Sequence, residues 1–577
     1  MRYHVLATDY DGTLAHHGRV DDATWAAVHK FRDTGRKLIL VTGRELDELL
    51  ALLPDATVFD RIVAENGALV YDPATKEIAT IAPGPPADFV AELAKRGVEP
   101  IAVGRVIVAT WEPHQDTVLA TIRDMGLELQ VIFNKGAVMI LPSGVNKATG
   151  LALALTQLGL SAHNVVAVGD AENDHALLAS AECGVAVANS LPALINAADL
   201  VTKADHGAGV AELIDHLLTD DLATVAPRLK RHAILLGKTP DGKTVEIDPY
   251  AANIMVCGTS GSGKSTLTTG VLERLAAASY QFAILDPEGD FTTTDLATVL
   301  GAPNRAPLVD EMLDVLGSGK NVAANLLGIA VDHRPEVFAQ LVPALVDLRV
   351  RTGRPHWLII DEAHHLLPVA WSTVDLPIRA HGTLYITVHP GSVNKDVVET
   401  INTVIAVGEH PEQTIRELCD VLGRPMPHVE PVDKLAPGTC VYWRLDQEPV
   451  LVISEKAKAE RMRHSRKYSE GNLGKDRSFV FRGPEAKLSL SAPNLHMFLH
   501  MADGVDDDTW TFHLRAHDYS AWMRTQVKDV SLADEVVAVE NDTALSPLES
   551  RAAIRAAVEK RYTLPSDKPS GIIDAAK

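Results

Sequence analysis

Apolar positions in the first 215 or so residues come in short runs: His4–Thr8, Lys37–Val41, Ile62–Ala64, Val165–Val168, Gly184–Val187 and Leu200–Thr202. Helical spacing fills the intervals, as in Asp22–Thr34 and Lys147–Leu158. Strand–helix alternation of this kind predicts a parallel α/β sheet. The rhythm breaks from about 83 to 145, starting at Pro83-Gly84-Pro85-Pro86, which reads as a small α+β insert.

A helical tail and polar stretch near Asp215–Pro227 lead into a second block. Thr239-Pro240-Asp241-Gly242 reads as the turn of a hairpin. The strand Asn253–Cys257, a glycine loop, a helix and the strand Phe282–Asp286 follow, with further strands at Trp357–Ile360 and Leu384–Val388. This predicts a second α/β sheet ending near 455. Lys456–Lys487 is basic, with Tyr468, Phe479 and Phe481 interspersed. Beyond it lie helical patterns at Leu495–Ala502, Thr509–Ala516 and Tyr519–Val527, then a polar tail. The expected domains are 1–220 with its insert at about 83–145, 230–455, and a basic linker plus small helical domain over 456–577.

Composition narrows the partners. A chain of 577 residues is long for one core, so two to four domains are expected. The net charge of −22 argues against broad nucleic-acid binding, which needs positive surface to displace counterions. The four cysteines, Cys183, Cys257, Cys419 and Cys440, form neither a disulfide framework nor a zinc pattern, which fits a reducing cytoplasm. Met1–Ala7 runs into a strand without a signal-peptide h-region, and no apolar run of about 20 residues predicts a membrane span.

Two candidate sites stand out. In the first, Asp9-Tyr10-Asp11-Gly12-Thr13-Leu14 follows the first strand, at the carboxyl end where open α/β sheets place ligands. Two carboxylates there can divide nucleophilic and acid/base roles, with a metal suppressing their repulsion. Thr42-Gly43-Arg44 ends another strand and suits a phosphoryl oxygen. Asn146-Lys147 opens a helix, and Gly169-Asp170-Ala171-Glu172-Asn173-Asp174 adds oxygen ligands suited to Mg²⁺.

These four segments, in this order, resemble the haloacid-dehalogenase (HAD) superfamily, specifically its Cof-type (type IIB) branch. Glu65-Asn66-Gly67-Ala68 resembles a segment of that branch, and 83–145 sits where its cap is inserted. The resemblance implies that Asp9 attacks phosphorus to form an aspartyl-phosphate. Asp11 would protonate the leaving alcohol and then deprotonate water. Thr42, Gly43, Lys147 and Asn173 would hold the phosphoryl group, and Asp9, Asp11 (through its carbonyl), Asp170 and Asp174 would serve Mg²⁺. Tyr10 is expected to point away from the two aspartates.

The second site is the loop Gly258-Thr259-Ser260-Gly261-Ser262-Gly263-Lys264-Ser265-Thr266, which lies between a strand and a helix as a Walker A loop requires. Its amides would surround a β-phosphate of ATP, Lys264 would supply charge, and Ser265 would offer a hydroxyl to Mg²⁺. Trp357–Ile360 followed by Asp361-Glu362 reads as Walker B, with Glu362 polarising the attacking water. The block resembles the HerA/FtsK-type ATPases, through Gly237–Asp248, Asp286-Pro287-Glu288-Gly289-Asp290 and Ile386-Thr387-Val388-His389-Pro390. It departs from them at Val388, where that family carries glutamine. The resemblance implies a ring in which an arginine reaches a neighbour's nucleotide; Arg379 and Arg416 are the candidates, and a surface salt bridge explains either as well.

The leading functional reading is a Mg²⁺-dependent phosphatase acting on a phosphorylated small molecule, coupled to an ATP-driven domain. Two alternatives are a nucleic-acid end-processing phosphatase/kinase, weakened by the acidic charge and Glu362, and a regulatory assembly controlled by nucleotide with little turnover. The basic aromatic stretch 456–487 can bind a polyanion, although a linker with packed aromatics explains it more simply.

Overall fold

The computed structural model describes residues 2–225, 229, 232–250, 252–259, 261–291, 294–302, 304–371, 381–458, 478–527 and 529–559. Contacts divide these into two compact units. The first comprises Met1–Lys264, Arg274–Gly289 and Leu296–Glu455. The second comprises Ser265–Glu273, Asp290–Asp295 and the described residues from Lys456 onward.

The first unit opens with strands β1 (Val5–Asp9), β2 (Lys37–Val41), β3 (Arg61–Ala64), β4 (Leu69–Tyr71) and β5 (Ile78–Thr80). The insert supplies β6 (Ala102–Val103), β7 (Val108–Trp111), β8 (Leu129–Asn134) and β9 (Ala137–Pro142), and the chain returns through β10 (Val165–Gly169), β11 (Cys183–Ala186) and β12 (Leu200–Val201). Among the described residues the first sheet runs β12-β11-β10-β1-β2-β3-β4-β5. It is parallel from β12 to β3 and antiparallel beyond. Alternate residues of the central strands serve opposite faces. Leu6, Leu38 and Val166 enter one core, while Val5, Ile39 and Val165 meet Leu151 and Leu155 of the Lys147–Leu158 helix in another. Burial on both faces is why these strands read as unbroken apolar runs.

The insert is a separate layer, as expected. Its sheet runs β6-β7-β9-β8, covered by helices Ala87–Lys95 and Gln115–Met125 around Phe89, Leu93, Val118 and Ile140. Lys135 and Gly136 turn between β8 and β9 with φ of 49° and 86°, the paired positive values of a type I′ hairpin.

The second sheet is built from β13 (Ile234–Lys238), β14 (Thr244–Ile247), β15 (Asn253–Cys257), β16 (Phe282–Asp286), β17 (Thr298–Leu300), β18 (Val322–Asn325), β19 (Trp357–Ile360), β20 (Thr383–Thr387), β21 (Thr403–Ala406), β22 (Thr439–Arg444) and β23 (Val450–Ser454). Its order is β14-β13-β23-β22-β21-β15-β20-β19-β16-β18-β17. The predicted hairpin forms, with Thr239 N–H donating to the Lys243 carbonyl (2.9 Å) and Gly242 at φ 88°. The strand expected at Leu384–Val388 ends one residue earlier, at Thr387.

In the second unit, β24 (Phe479–Phe481) pairs with β25 (Leu490–Ala492). Helices from Leu495 to Glu559 close a core of Phe481, Phe498, Trp510 and Tyr519. Phe479 and Phe481 are buried in that core rather than presented to a polyanion. Most of the basic stretch, with Tyr468, falls in 459–477, outside the described residues. The tail read as polar contains helices Val530–Asn541 and Pro547–Glu559. In them Leu532 with Val536 and Ile554 with Val558 recur at four-residue spacing and enter the core, together with Ala533 and Ala557. In the same core Glu540 accepts from Ser520 N–H (3.0 Å) and pairs with His517 Nδ1 (3.1 Å). Among the described residues, no helix is long and apolar enough to cross a membrane.

Candidate functional site

Because β1 lies between β10 and β2, the loops after all three strands meet at one sheet edge. That places Asp9–Leu14, Thr42–Arg44 and Gly169–Asp174 together, although up to 165 residues of chain separate them. Gly12 turns the first loop at φ 89°, and a Cβ there would stand 2.5 Å from Asp170 Oδ2 and 2.6 Å from Lys135 Nζ. Tyr10 points away as expected, its hydroxyl donating to the Gly18 carbonyl (3.1 Å).

Lys147 arrives from below the edge. Asn146 caps its helix, accepting from the amides of Ala148 (2.9 Å) and Thr149 (3.1 Å). Gly67 lets that helix start approach closely, since a Cβ on it would lie 1.9 Å from the Asn146 carbonyl oxygen. The buried ammonium donates to Asp9 Oδ1 (2.5 Å) and Asp174 Oδ1 (2.6 Å). Burial pushes the Asp9 carboxyl up; Lys147 opposes this, and Asp174 and Asp170 add to the rise. The charges facing Lys147 raise its own affinity for a proton against its burial.

The four acidic residues hold different places. Asp9, Asp170 and Asp174 present carboxylate oxygens within 4.8 Å of one another. Asp170 Oδ2 and the Asp11 carbonyl converge on one cation, the Lys135 ammonium, at 2.7 and 3.3 Å. Hard oxygens converging on a single positive centre suit Mg²⁺. Asp174 is committed elsewhere: its Oδ2 accepts the amides of Asp170 (2.9 Å) and Ala171 (3.0 Å), while Lys147 takes Oδ1. It therefore shapes the loop that carries Asp170. The Asp11 carboxylate is gripped by Arg44, whose Nε and Nη2 donate at 2.6 and 2.7 Å.

The expected phosphate-binding residues line this edge. Thr42 is buried and accepts the Arg44 amide (3.1 Å), and Asn173 Nδ2 donates to Asn66 Oδ1 (2.9 Å). A Cβ on Gly43 would stand 3.0 Å from Met139 Cε of the cap. Between cap and core lies a cavity of about 230 Å³ lined by Arg44, Ile101, Thr110, Trp111 and Met139. Glu65 latches the cap, accepting the amides of Arg105 (2.9 Å), Val106 (2.7 Å) and Ile107 (3.0 Å). The sequence pattern gives no role to Arg44 or Glu65 and does not place Lys135 at the acidic cluster. The signal for Lys135 was its place before a glycine in the insert.

In the second sheet Gly258, Gly261 and Gly263 turn the glycine loop at φ 150°, 77° and 99°, and a Cβ on Gly258 would meet the Val407 carbonyl at 2.1 Å. Lys264 donates to the carbonyls of Gly258 (2.8 Å) and Thr259 (3.1 Å), so its ammonium stays at the loop. The Ser262 amide donates to the Thr259 carbonyl (3.2 Å), closing the turn. Ser265 Oγ donates to Asp290 Oδ2 (3.4 Å), and Thr266 lies in the first turn of the helix Lys264–Ala277. Ser260 and Arg379 lie outside the described residues, and Arg416 is exposed on the helix Pro411–Leu422.

Strand β20 lies between the strands that end at the glycine loop and at Asp361. Asp361 is buried, and Glu362 follows in the left-handed region at φ 41°. His364 Nδ1 stands 3.5 Å from Glu362 Oε2 and 3.1 Å from Thr387 Oγ1. His364 thus stands between Glu362 and the end of β20. Burial, with the nearby charges of His365 and His389, pushes the His364 imidazole down to about 4, so it is neutral.

A buried lysine is thus clamped between Asp9 at the end of β1 and Asp174 in the loop after β10, under a capped parallel sheet. Residues 6–104 and 120–214 match the haloacid dehalogenase-like hydrolases, and residues 247–383 match the AAA domain. A phosphoglycolate phosphatase of Methanothermobacter thermautotrophicus is 30% identical over 219 residues, 36% of this chain and 96% of that protein. One from Natronomonas pharaonis is 31% identical over 223 residues, again 36% and 96%. A haloacid dehalogenase-like hydrolase structure from Bacteroides thetaiotaomicron aligns at TM-score 0.34 and 20% identity, covering 37% of this chain and 99% of that one. The chain belongs to the haloacid dehalogenase-like hydrolases, as a HAD-type phosphatase that carries a P-loop domain of the AAA class.

Proposed function

We propose that residues 1–220 hydrolyse a phosphomonoester through an aspartyl-phosphate, and that residues 230–455 bind and hydrolyse ATP, with 456–577 as a basic linker plus a helical domain. The observation that carries the first part is the Lys147 ammonium held 2.5 Å from Asp9 and 2.6 Å from Asp174. It fixes the nucleophile and leaves positive charge beside an incoming phosphoryl group.

In the proposed sequence an Asp9 oxygen attacks phosphorus as the bond to the leaving oxygen breaks. Asp11 gives that oxygen a proton, then takes one from a water that attacks the same phosphorus and frees Asp9 and phosphate. Arg44, on both Asp11 oxygens, orients this acid/base. Asp9, Asp170 and the Asp11 carbonyl would hold Mg²⁺, which supplies charge neutralisation for the phosphoryl oxygens. The relatives named above make phosphoglycolate the first substrate to test, and Arg44, which lines the cap cavity, suits a second anionic group. Four free, buried cysteines support a cytoplasmic setting.

In the second domain Glu362 is the residue we assign to activating water against ATP, with Lys264 on the phosphates and Asp361 and Ser265 toward Mg²⁺. Asp9→Asn should abolish phosphate release from para-nitrophenyl phosphate and phosphoglycolate while sparing ATP binding. Persistence of that release would remove the aspartyl-phosphate mechanism. Lys264→Ala should remove ATP binding and leave para-nitrophenyl phosphate turnover in place. Label transfer from γ-labelled ATP to a 5′-hydroxyl oligonucleotide would favour a kinase instead.

A further inference from the structure

Away from both phosphate sites, Glu182 draws together residues from three stretches of the first unit. It precedes β11 and is buried, with 1% of its side chain exposed. Its amide donates to the Ala162 carbonyl (3.0 Å), which sets it beside His163 in the turn Ala162–Asn164. His163 Nδ1 lies 2.8 Å from Glu182 Oε2, and His232 Nδ1, just before β13, lies 3.5 Å from the same oxygen. These three ligand atoms all fall within 4.8 Å of one another.

The surroundings carry features of a built metal site. The Ala278 carbonyl can only accept, so His163 Nε2, 2.7 Å away, carries its proton and donates. A backbone carbonyl on the far nitrogen is the usual device that fixes a ligating imidazole's tautomer and aims its other nitrogen at a metal. Tyr280 stacks on the His163 ring at 3.7 Å and prevents it from turning. The second carboxylate oxygen is held by Arg2 at 2.6 Å, and the Tyr280 hydroxyl donates to Oε2 at 3.3 Å. Donors of a tetrahedral zinc lie about 3.3 Å apart, given bonds of about 2.0–2.1 Å, which brackets with the 2.8 and 3.5 Å found here. His356 is not a ligand: its Nδ1 already accepts the Gln281 amide (2.8 Å).

We propose that His163 Nδ1, Glu182 Oε2 and His232 Nδ1 bind a divalent transition metal of the zinc class, with water in the fourth position. Two imidazoles select such an ion over Mg²⁺, whose preferred donors are oxygens. The metal replaces the proton that otherwise lies between His163 Nδ1 and the carboxylate. It ties the segment entering the P-loop domain to the base of the phosphatase sheet, and contributes folding stability to that junction.

The test is metal content of the full chain, loaded with Zn²⁺ or Co²⁺ in excess Mg²⁺ and then desalted. An Asp170→Asn background removes the phosphatase metal site from the count. About one Zn²⁺ per chain is expected to remain, and Co²⁺ should give the intense visible band of a four-coordinate ion. Adding His232→Ala should weaken retention by at least 100-fold, beyond the 10–100-fold typical of an outer-shell partner, with an unchanged far-ultraviolet circular dichroism spectrum. Failure of the Asp170→Asn chain to retain metal would overturn the proposal and leave an ordinary ion pair. So would retention that ignores both His232→Ala and Glu182→Gln.

Discussion

The Arg354 guanidinium donates to the carbonyl of Gly159. Gly159 ends the helix whose first residue is Lys147, and Arg354 lies three residues before the strand that leads to Asp361. Next to it, a Cβ on Gly353 would stand 2.3 Å from the Asn164 side chain, so the two regions meet almost backbone to side chain. Asn164 directly precedes β10, the strand that leads to Asp170. The beginnings of strands from both sheets therefore face one another, with the phosphate sites at the opposite strand ends.

Arg354→Ala is expected to destabilise this junction by about 2 kcal/mol, the scale for a hydrogen bond with a charged donor. Urea unfolding should shift to a lower midpoint, with para-nitrophenyl phosphate turnover by the folded protein unchanged.

Gly67→Ala should be worse. The residue combines φ of 100° with the 1.9 Å approach to the Asn146 carbonyl. Left-handed strain and overpacking together put the cost at about 3 kcal/mol. Because Asn146 begins the Lys147 helix, phosphatase kcat should fall with stability, measured on protein that remains folded.

Glu65→Gln keeps the shape of the cap latch and removes the charge that accepts three amides. A loss of about 1–2 kcal/mol locally is expected. Hydrogen exchange at residues 105–107 should quicken by roughly 10-fold, with KM rising more than kcat falls. Unchanged protection there would show that the latch does not hold the cap.

His364 gives a dependence on pH. Its folded-state affinity for protons, at about 4, lies below the ordinary value of 6.5. The unfolded chain then binds the extra proton first, so stability contributed by neutral His364 is full above about 6.5 and is lost as pH falls toward 4. His364→Gln should flatten the stability profile over that window, as followed by thermal unfolding in a pH series.

Much of this was legible in the chain. The buried parallel strands announced themselves as apolar runs, and β2, β15, β16 and β19 fall at the predicted residues. Asp9, Lys147, Asp170 and Lys264 were found because each sits at a strand or helix terminus, where a local motif records the backbone geometry. The helices at Val530–Asn541 and Pro547–Glu559 were read into a polar tail, although Leu532, Val536, Ile554 and Val558 keep the four-residue spacing of a helical core face.

The sequence by itself determined the two sheets, the cap and the glycine-turned phosphate loops, since each follows from short-range pattern and backbone permission. Only the tertiary structure decided that Arg44 grips Asp11, that Lys135 reaches Asp170 from the cap, and that His364 stands between Glu362 and Thr387. It also decided that His163, Glu182 and His232 converge. These are meetings between side chains distant in the chain or brought round by a turn. Strand order and loop direction set them, and no local periodicity encodes either.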